Sequence, residues 1–247
     1  MFFHSLAKKN FSQDFKNKTF ILTGYSSGIG QQVYKDLKKL GSKIILIGRK
    51  KIVGEKIIEC DLGDSAKLDL LCNQESKKIK KKIDGFVHCA GINNCVKISK
   101  ISVDEWNKVF SVNLTSAFII SKNFKLNLLK SQNPSIVFVS SIAGHRKSIV
   151  SGTHYVSSKA ALIGLSKQLS HEFGRFKIRV NCISPSQTET KMLKKSMTKK
   201  QANKLIQSIP IGRLAKTQEQ SNGILFLLSS FSKYINGSSI NIDGGQI

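Results

Sequence analysis

Tyr155 and Lys159, four residues apart in "THYVSSKAAL" (153–162), have the residue types and the spacing for proton transfer. On a helix that spacing places both side chains on one face. A phenol with an ordinary pKa of about 10 is a poor acid–base group at neutral pH, and a neighbouring ammonium lowers that value by favouring the phenolate. Tyr34 and Lys38 in "YKDLK" repeat the same spacing, so the pair must be chosen by its surroundings. Tyr34 falls in the helix expected after a glycine-rich turn, where its ring would pack. Tyr155 instead follows an apolar run that ends in Ser140 and Ser141.

The second chemical signal is "TGYSSGIG" (23–30), which follows the apolar run "KTFILT" and opens the helical pattern of Val33, Leu37 and Leu40. Strand, glycine turn, helix is the context of a phosphate site. Gly24, Gly28 and Gly30, with Ser26, Ser27 and Ile29 between them, permit close backbone approach, and the helix start supplies free N–H groups and the positive dipole end. The second strand, "SKIILIG", ends in Gly48, Arg49 and Lys50 with no acid. In a dinucleotide fold this is where an acid grips a free ribose 2′-OH or an Arg accommodates a 2′-phosphate, so NADPH is expected over NADH. Asp61 and Leu62, in "ECDLGD", are placed to meet the adenine edge, or else merely end a strand.

Further apolar runs at "KIIEC", "DGFVHCA", "SIVFVSS", "IRVNCIS" and "SSINID" alternate with helical stretches. Alternation of this kind predicts an α/β, Rossmann-type, doubly wound parallel sheet in a single domain. About seven residues separate Arg49 from the next strand, fewer than a helical crossover needs, so a non-helical connection is expected there. Residues 1–14 read as an N-terminal extension and 15–247 as the domain.

Composition narrows the class. A hydrophobic content of 40% with 18 Gly and 3 Pro fits a compact globular chain. The five cysteines, Cys60, Cys72, Cys89, Cys95 and Cys182, lack a CxxC pair, which argues against a disulfide framework or a zinc ribbon. No apolar run is long enough to span a bilayer, and the N-terminus lacks the apolar core of a secretory signal. A cytoplasmic location without membrane association is expected. The net charge of +25 raises the question of a polyanion partner. Its lysines are scattered, however, only five of the 40 basic residues are Arg, and the one dense run is "KKIKKK" at 77–82. No specific nucleic-acid partner is therefore expected.

The ordered motifs TGxxxGIG, "HCAG" (88–91), "VNLTSAF" (112–118), "VSSIAG" (139–144), Tyr155-x-x-x-Lys159, "NCISPSQTET" (181–190) and "IDGG" (242–245) resemble the short-chain dehydrogenase/reductase family. "IPIGRLAKTQE" (209–219) and "YINGSSINIDGG" are most similar to its 3-oxoacyl-acyl-carrier-protein reductase branch. The resemblance implies that Tyr155 protonates the carbonyl oxygen and Ser141 hydrogen-bonds it. Lys159 would hold the nicotinamide ribose as well, and Asn113 would anchor a water leading to solvent. Ala90, Gly91, Pro185, Thr188 and Thr190 would line the nicotinamide half of the cofactor site. Simpler roles stand beside these: Ser141 as a helix cap with Ser140 as the hydroxyl donor, and Asn113 as a cap.

The chain departs from the family pattern in places. His88 and Cys89 replace the usual Asn-Asn, Ser186 follows Pro185 where Gly is usual, and Thr188 replaces an aliphatic residue. The spacing from Ser141 to Tyr155 is about one residue longer than the family pattern. A non-glycine residue at 186 predicts backbone strain if that position needs a positive φ. The Lys-rich stretch at about 190–210 falls where the family has its substrate lid, and basic character there suits an acidic carrier protein. By resemblance the function is NADPH-dependent reduction of 3-oxoacyl thioesters on acyl carrier protein, in a homotetramer or a dimer. Other alcohol/ketone pairs, or a silent cofactor-binding regulator with a basic nucleic-acid-binding face, are the alternatives.

Overall fold

The computed structural model describes residues 11–190, 193 and 199–247. Seven strands form one all-parallel sheet: β1 (Thr19–Thr23), β2 (Lys43–Gly48), β3 (Lys56–Glu59), β4 (Gly85–His88), β5 (Ser135–Val139), β6 (Arg179–Pro185) and β7 (Ser239–Ile242). Their spatial order is β3-β2-β1-β4-β5-β6-β7. Chain direction across the sheet therefore reverses between β1 and β4, where Thr23 lies beside His88. In doubly wound sheets the crevice at this switch point, beyond the strand C-termini, is where ligands bind.

The strands are apolar on both sides because helices cover both faces. On one face α1 (Gly28–Lys39) presents Val33 and Leu37 to a core shared with Phe20, Leu22, Ile224 and Leu228. The last two belong to α7 (Thr217–Leu228). Asp36 fastens the two helices together, accepting from Ser221 Oγ at 2.6 Å and Gln218 Nε2 at 2.8 Å. The other face packs Phe86, Phe124, Phe138 and Phe173 with residues of α2 (Ser65–Lys78), α4 (Ser116–Leu128) and α5 (Thr153–Gly174). Burying each such ring stabilises the fold by about 1.5–3 kcal/mol.

Two irregularities matter for the site. Between β2 and β3, residues 49–55 cross without a helix, as their number requires. Glu55 anchors this crossover to α1, accepting from Tyr34 Oη at 3.0 Å and pairing with Lys38 at 2.7 Å. The competing Tyr-x-x-x-Lys pair is thus a structural clamp on one glutamate. The second irregularity is a π-turn at Ser111–Thr115 joining α3 (Val103–Phe110) to α4. The extra residue in that turn breaks the helical phase and turns Asn113 inward, a recurrent device at functional sites.

Of the N-terminal extension, Phe11 packs on Phe15 and Phe231, and Asp14 accepts from the Ser230 amide at 2.7 Å. Residues 1–10 lie outside the described residues. So does most of the first half of the expected lid; α6 (Lys199–Gln207) forms its second half. Among the described residues no helix is long and apolar enough to cross a membrane.

Candidate active site

A cleft of about 820 Å³ opens beyond the C-terminal ends of the strands and is lined by every site residue expected from the sequence except Asn113. At its phosphate end the backbone is pressed tight. A Cβ on Gly24 (φ +70°) would stand 2.6 Å from the Ala90 nitrogen, and one on Gly30 would stand 2.2 Å from the Gly24 oxygen. Ser27 caps α1 in extended conformation without a side-chain capping bond. The first-turn amides are left to face the cleft, as a pyrophosphate cradle requires.

Tyr25, in the middle of this turn, is the one aromatic residue of the glycine motif. Its ring lies under Gly48 and its hydroxyl donates to the Lys50 carbonyl, so it braces the loop that carries Arg49. Arg49 reaches over the cleft with its side chain 80% exposed, 3.4 Å from Asp61. Asp61 also accepts from the Gly63 amide at 2.9 Å and Leu62 is buried, so the segment expected to meet the adenine is a formed turn. These residues fit a dinucleotide, and Arg49 is free to leave Asp61 for a phosphate.

At the other end of the cleft Tyr155 and Ser141 both line the wall, and the Ser141 hydroxyl stands close enough to the phenol to lower its pKa. Ser141 Oγ also accepts from the Ala143 amide at 3.1 Å, so it is both the cap of a short 3-10 turn and a group facing Tyr155. Ser140 is excluded as the alternative donor: it is buried and gives its hydrogen bond to the Lys159 carbonyl at 2.9 Å. Lys159 Nζ donates to the Val139 carbonyl at 2.7 Å. Gly91 leaves room for that ammonium, since a Cβ there would stand 3.3 Å from Nζ.

The electrostatics correct the expectation drawn from spacing alone. Burial raises the Tyr155 phenol above its ordinary value, and the lowering influence comes from the Ser141 hydroxyl rather than from Lys159. Burial pushes Lys159 itself down to about 8. The shared helix face brings Nζ to 5.6 Å from the Tyr155 ring centroid, but its hydrogen bond goes to Val139.

Asn113 stands behind the cleft wall, fully buried. Its Oδ1 accepts from the Ile92 amide at 2.8 Å, and its Nδ2 donates to the Ile92 carbonyl at 3.1 Å and to Ser158 Oγ at 3.0 Å. Asn113 therefore ties the β4 exit to the Tyr155 helix. His88 sits beneath this assembly. The Ala90 amide donates to Thr23 Oγ1 at 3.3 Å, and Thr23 Oγ1 shares a hydrogen bond with His88 Nδ1 at 2.9 Å. His88 Nε2 faces the backbone of Val112 and Asn113 and makes no hydrogen bond among the described residues. Burial, with Lys159 nearby, holds this imidazole down at about 3, so it is neutral. Cys89 is likewise a thiol, pushed up to about 12 by burial.

The strain expected at Ser186 is absent, because Asn17 and Lys177 are the only non-glycine residues with positive φ among those described. The segment is held by hydrogen bonds instead: the Ser186 amide donates to Ile242 O at 3.3 Å and Thr188 Oγ1 to Ser186 O at 3.1 Å. Thr190 packs its methyl 3.2 Å from where a Gly28 Cβ would lie, closing the phosphate turn from above.

A family model described as enoyl-(acyl carrier protein) reductase matches residues 24–246. The chain belongs to the short-chain dehydrogenase/reductase family. It is thereby an NAD(P)-dependent oxidoreductase. It is 33% identical over 243 residues to a 3-oxoacyl-(acyl-carrier-protein) reductase of Chlamydia trachomatis, covering 93% of this chain and 97% of that one. Among solved structures, the aldohexose dehydrogenase of Thermoplasma acidophilum superposes with a TM-score of 0.84 at 28% identity, over 94% of this chain and 95% of that one. A short-chain dehydrogenase of Leptospira borgpetersenii with bound NAD+ gives 0.86 at 26% identity, over 96% and 95%.

Proposed function

We propose that this oxidoreductase reduces 3-oxoacyl thioesters carried on acyl carrier protein to 3-hydroxyacyl thioesters, with NADPH. The observation that carries the reading is the Tyr155–Ser141 hydroxyl pair facing the same cleft as the glycine turn. The turn from Gly24 to Gly30 would hold the pyrophosphate, Arg49 the 2′-phosphate, Asp61 and Leu62 the adenine edge, and Ala90, Gly91, Pro185, Thr188 and Thr190 the nicotinamide half. When bound, the cofactor supplies a hydride to the carbonyl carbon.

The chain's own residues do the rest. Tyr155 Oη gives its proton to the carbonyl oxygen as negative charge gathers there, and Ser141 Oγ donates a hydrogen bond to the same atom. Lys159 holds the nicotinamide ribose. Asn113 holds Ile92 and α5 in register and anchors a water through which Lys159 and Tyr155 recover a proton from solvent. Lys108, Arg146 and Lys147 line the cleft and favour approach of an acidic carrier, as does the Lys-rich sequence of the expected lid.

The same reading extends to a cytoplasmic homotetramer. Phe118 and Leu126 of α4 are exposed, and Gly164 of α5 has open space around it, which suits close helix approach between copies. A second reading, reduction of another ketone such as a sugar or polyol, draws on the likeness to the aldohexose dehydrogenase.

The test is oxidation of NADPH and of NADH with acetoacetyl thioester and with ketose substrates, for wild type and Arg49→Ala. Thioester turnover preferring NADPH, with that preference reduced about tenfold or more in the variant, supports the proposal. Turnover of ketoses alone would replace it with the second reading.

A further inference from the structure

The helix that carries Tyr155 begins without an ordinary cap. Its N-cap is Gly152, where a Cβ would stand 2.3 Å from Asn94 O and 2.4 Å from His154 Cε1, so no capping side chain fits. A free helix start would leave the amide of the third helical residue, Tyr155, short of a side-chain partner. His154 supplies it. Its imidazole is fully buried and folds back so that Nδ1 accepts from the Tyr155 amide at 3.0 Å, alongside the Gly152 carbonyl at 3.0 Å.

Because Nδ1 accepts, the ring proton sits on Nε2, which lies 3.5 Å from Glu105 Oε1 on α3. Asn94 Nδ2 donates to the same oxygen at 2.6 Å. Asn93 continues the brace, accepting from the Gly152 amide at 3.3 Å and donating to Val150 O at 3.2 Å. Asn113 pins the adjacent Ile92 from both sides. One chain of polar contacts therefore joins α3, the β4 exit and the first turn of α5.

We infer that His154, oriented by Glu105 and Asn94, is a positioning residue that sets the placement of Tyr155 against Ser141. The inference rests on the acid–base role proposed for Tyr155. His154 touches no reacting atom. It fixes the backbone from which the phenol projects, so its loss acts on the chemical step rather than on cofactor binding.

The experiment compares His154→Leu, His154→Asn, Glu105→Ala and Tyr155→Phe with wild type, using NADPH and a carbonyl that the wild type reduces, with urea midpoints to confirm folding. His154→Leu should lower kcat by about tenfold or more while KM for NADPH stays unchanged, since sub-ångström to 1 Å misplacement of a reacting group costs rates of this order. His154→Asn, whose Oδ1 stands where Nδ1 stood, should recover most of that loss. In the Leu variant the alkaline limb of the kcat–pH profile should move up, because the Ser141 hydroxyl that holds the phenol down is no longer aligned with it; in the Asn variant it should not. Should His154→Leu fail to fold, Glu105→Ala tests the same chain from its solvent side and should also lower kcat.

Wild-type kcat in folded His154→Leu or in Glu105→Ala, with Tyr155→Phe inactive, overturns the inference alone. Equal impairment of the Leu and Asn variants also overturns it, by reducing the role to packing. Full activity of Tyr155→Phe would instead overturn the acid–base reading beneath it.

Discussion

The ammonium of Lys159 stands 5.6 Å from the Tyr155 ring centroid and donates its hydrogen bond to the Val139 carbonyl at 2.7 Å. Its charge is buried without an anionic partner among the described residues. Burial holds Lys159 at about 8 against an ordinary 10.5, so between those values the folded chain binds fewer protons than the unfolded one. Stability rises with pH across that window, and the cost of the buried charge is complete below about 8. Lys159→Met should abolish turnover. Its stability relative to wild type should be greatest at pH 7, by on the order of 1–3 kcal/mol, and should shrink by pH 10. Urea midpoints of both proteins at the two pH values check this; a difference that grows with pH contradicts it.

Ser141 and Ser140 are neighbours with separate tasks. Ser141→Ala should lower kcat on the order of a hundredfold by removing the donor beside Tyr155. Ser140→Ala loses a buried bond to the Lys159 carbonyl, so its main effect should be about 1 kcal/mol of stability. Steady-state kinetics and thermal unfolding of the two variants separate the roles, and a larger kinetic loss in Ser140→Ala would reverse them.

His88 makes the fold acid-sensitive. Its folded value of about 3 lies below the ordinary 6.5, so the unfolded chain binds more protons between those limits. The stability that depends on neutral His88 is complete above about pH 6.5 and declines as pH falls through the window. Wild type should therefore lose about 2 kcal/mol more than His88→Asn between pH 7 and pH 5. Parallel losses in denaturant melts would show that the imidazole is not the sensitive group.

Ser186→Gly restores the usual family residue but should bring no relief, because the backbone at Ser186 is not in the left-handed region. Added freedom in the unfolded chain should instead cost up to about 1 kcal/mol. A rise in melting temperature would contradict the observed conformation.

The parallel sheet, the glycine turn and the Tyr155–Lys159 pair were legible because each depends on local pattern: apolar runs buried on two faces, glycines at a strand–helix junction, and spacing of four on a helix. The short β2–β3 crossover was legible from chain length alone. Other features were not. Choosing between Ser140 and Ser141 requires knowing which hydroxyl faces Tyr155, and β-strand exit geometry decides it. The dominant influence on the phenol is not legible either, because spacing places Lys159 on the right face without saying that Val139 takes its hydrogen bond. His154 and Glu105 are 49 residues apart and meet only through the packing of α3 on α5. Tyr25 sits inside the glycine motif, and its aromatic ring amid small residues was the one available sign of a bracing role.

The most direct measurement is NADPH oxidation with acetoacetyl thioester by wild type and Tyr155→Phe, each shown to bind NADPH by fluorescence. The account predicts turnover by wild type and a loss of at least about a hundredfold in kcat for the variant with binding retained. Turnover in Tyr155→Phe comparable to wild type would contradict it, since Tyr155 is the phenol of the cleft that Ser141 acts on.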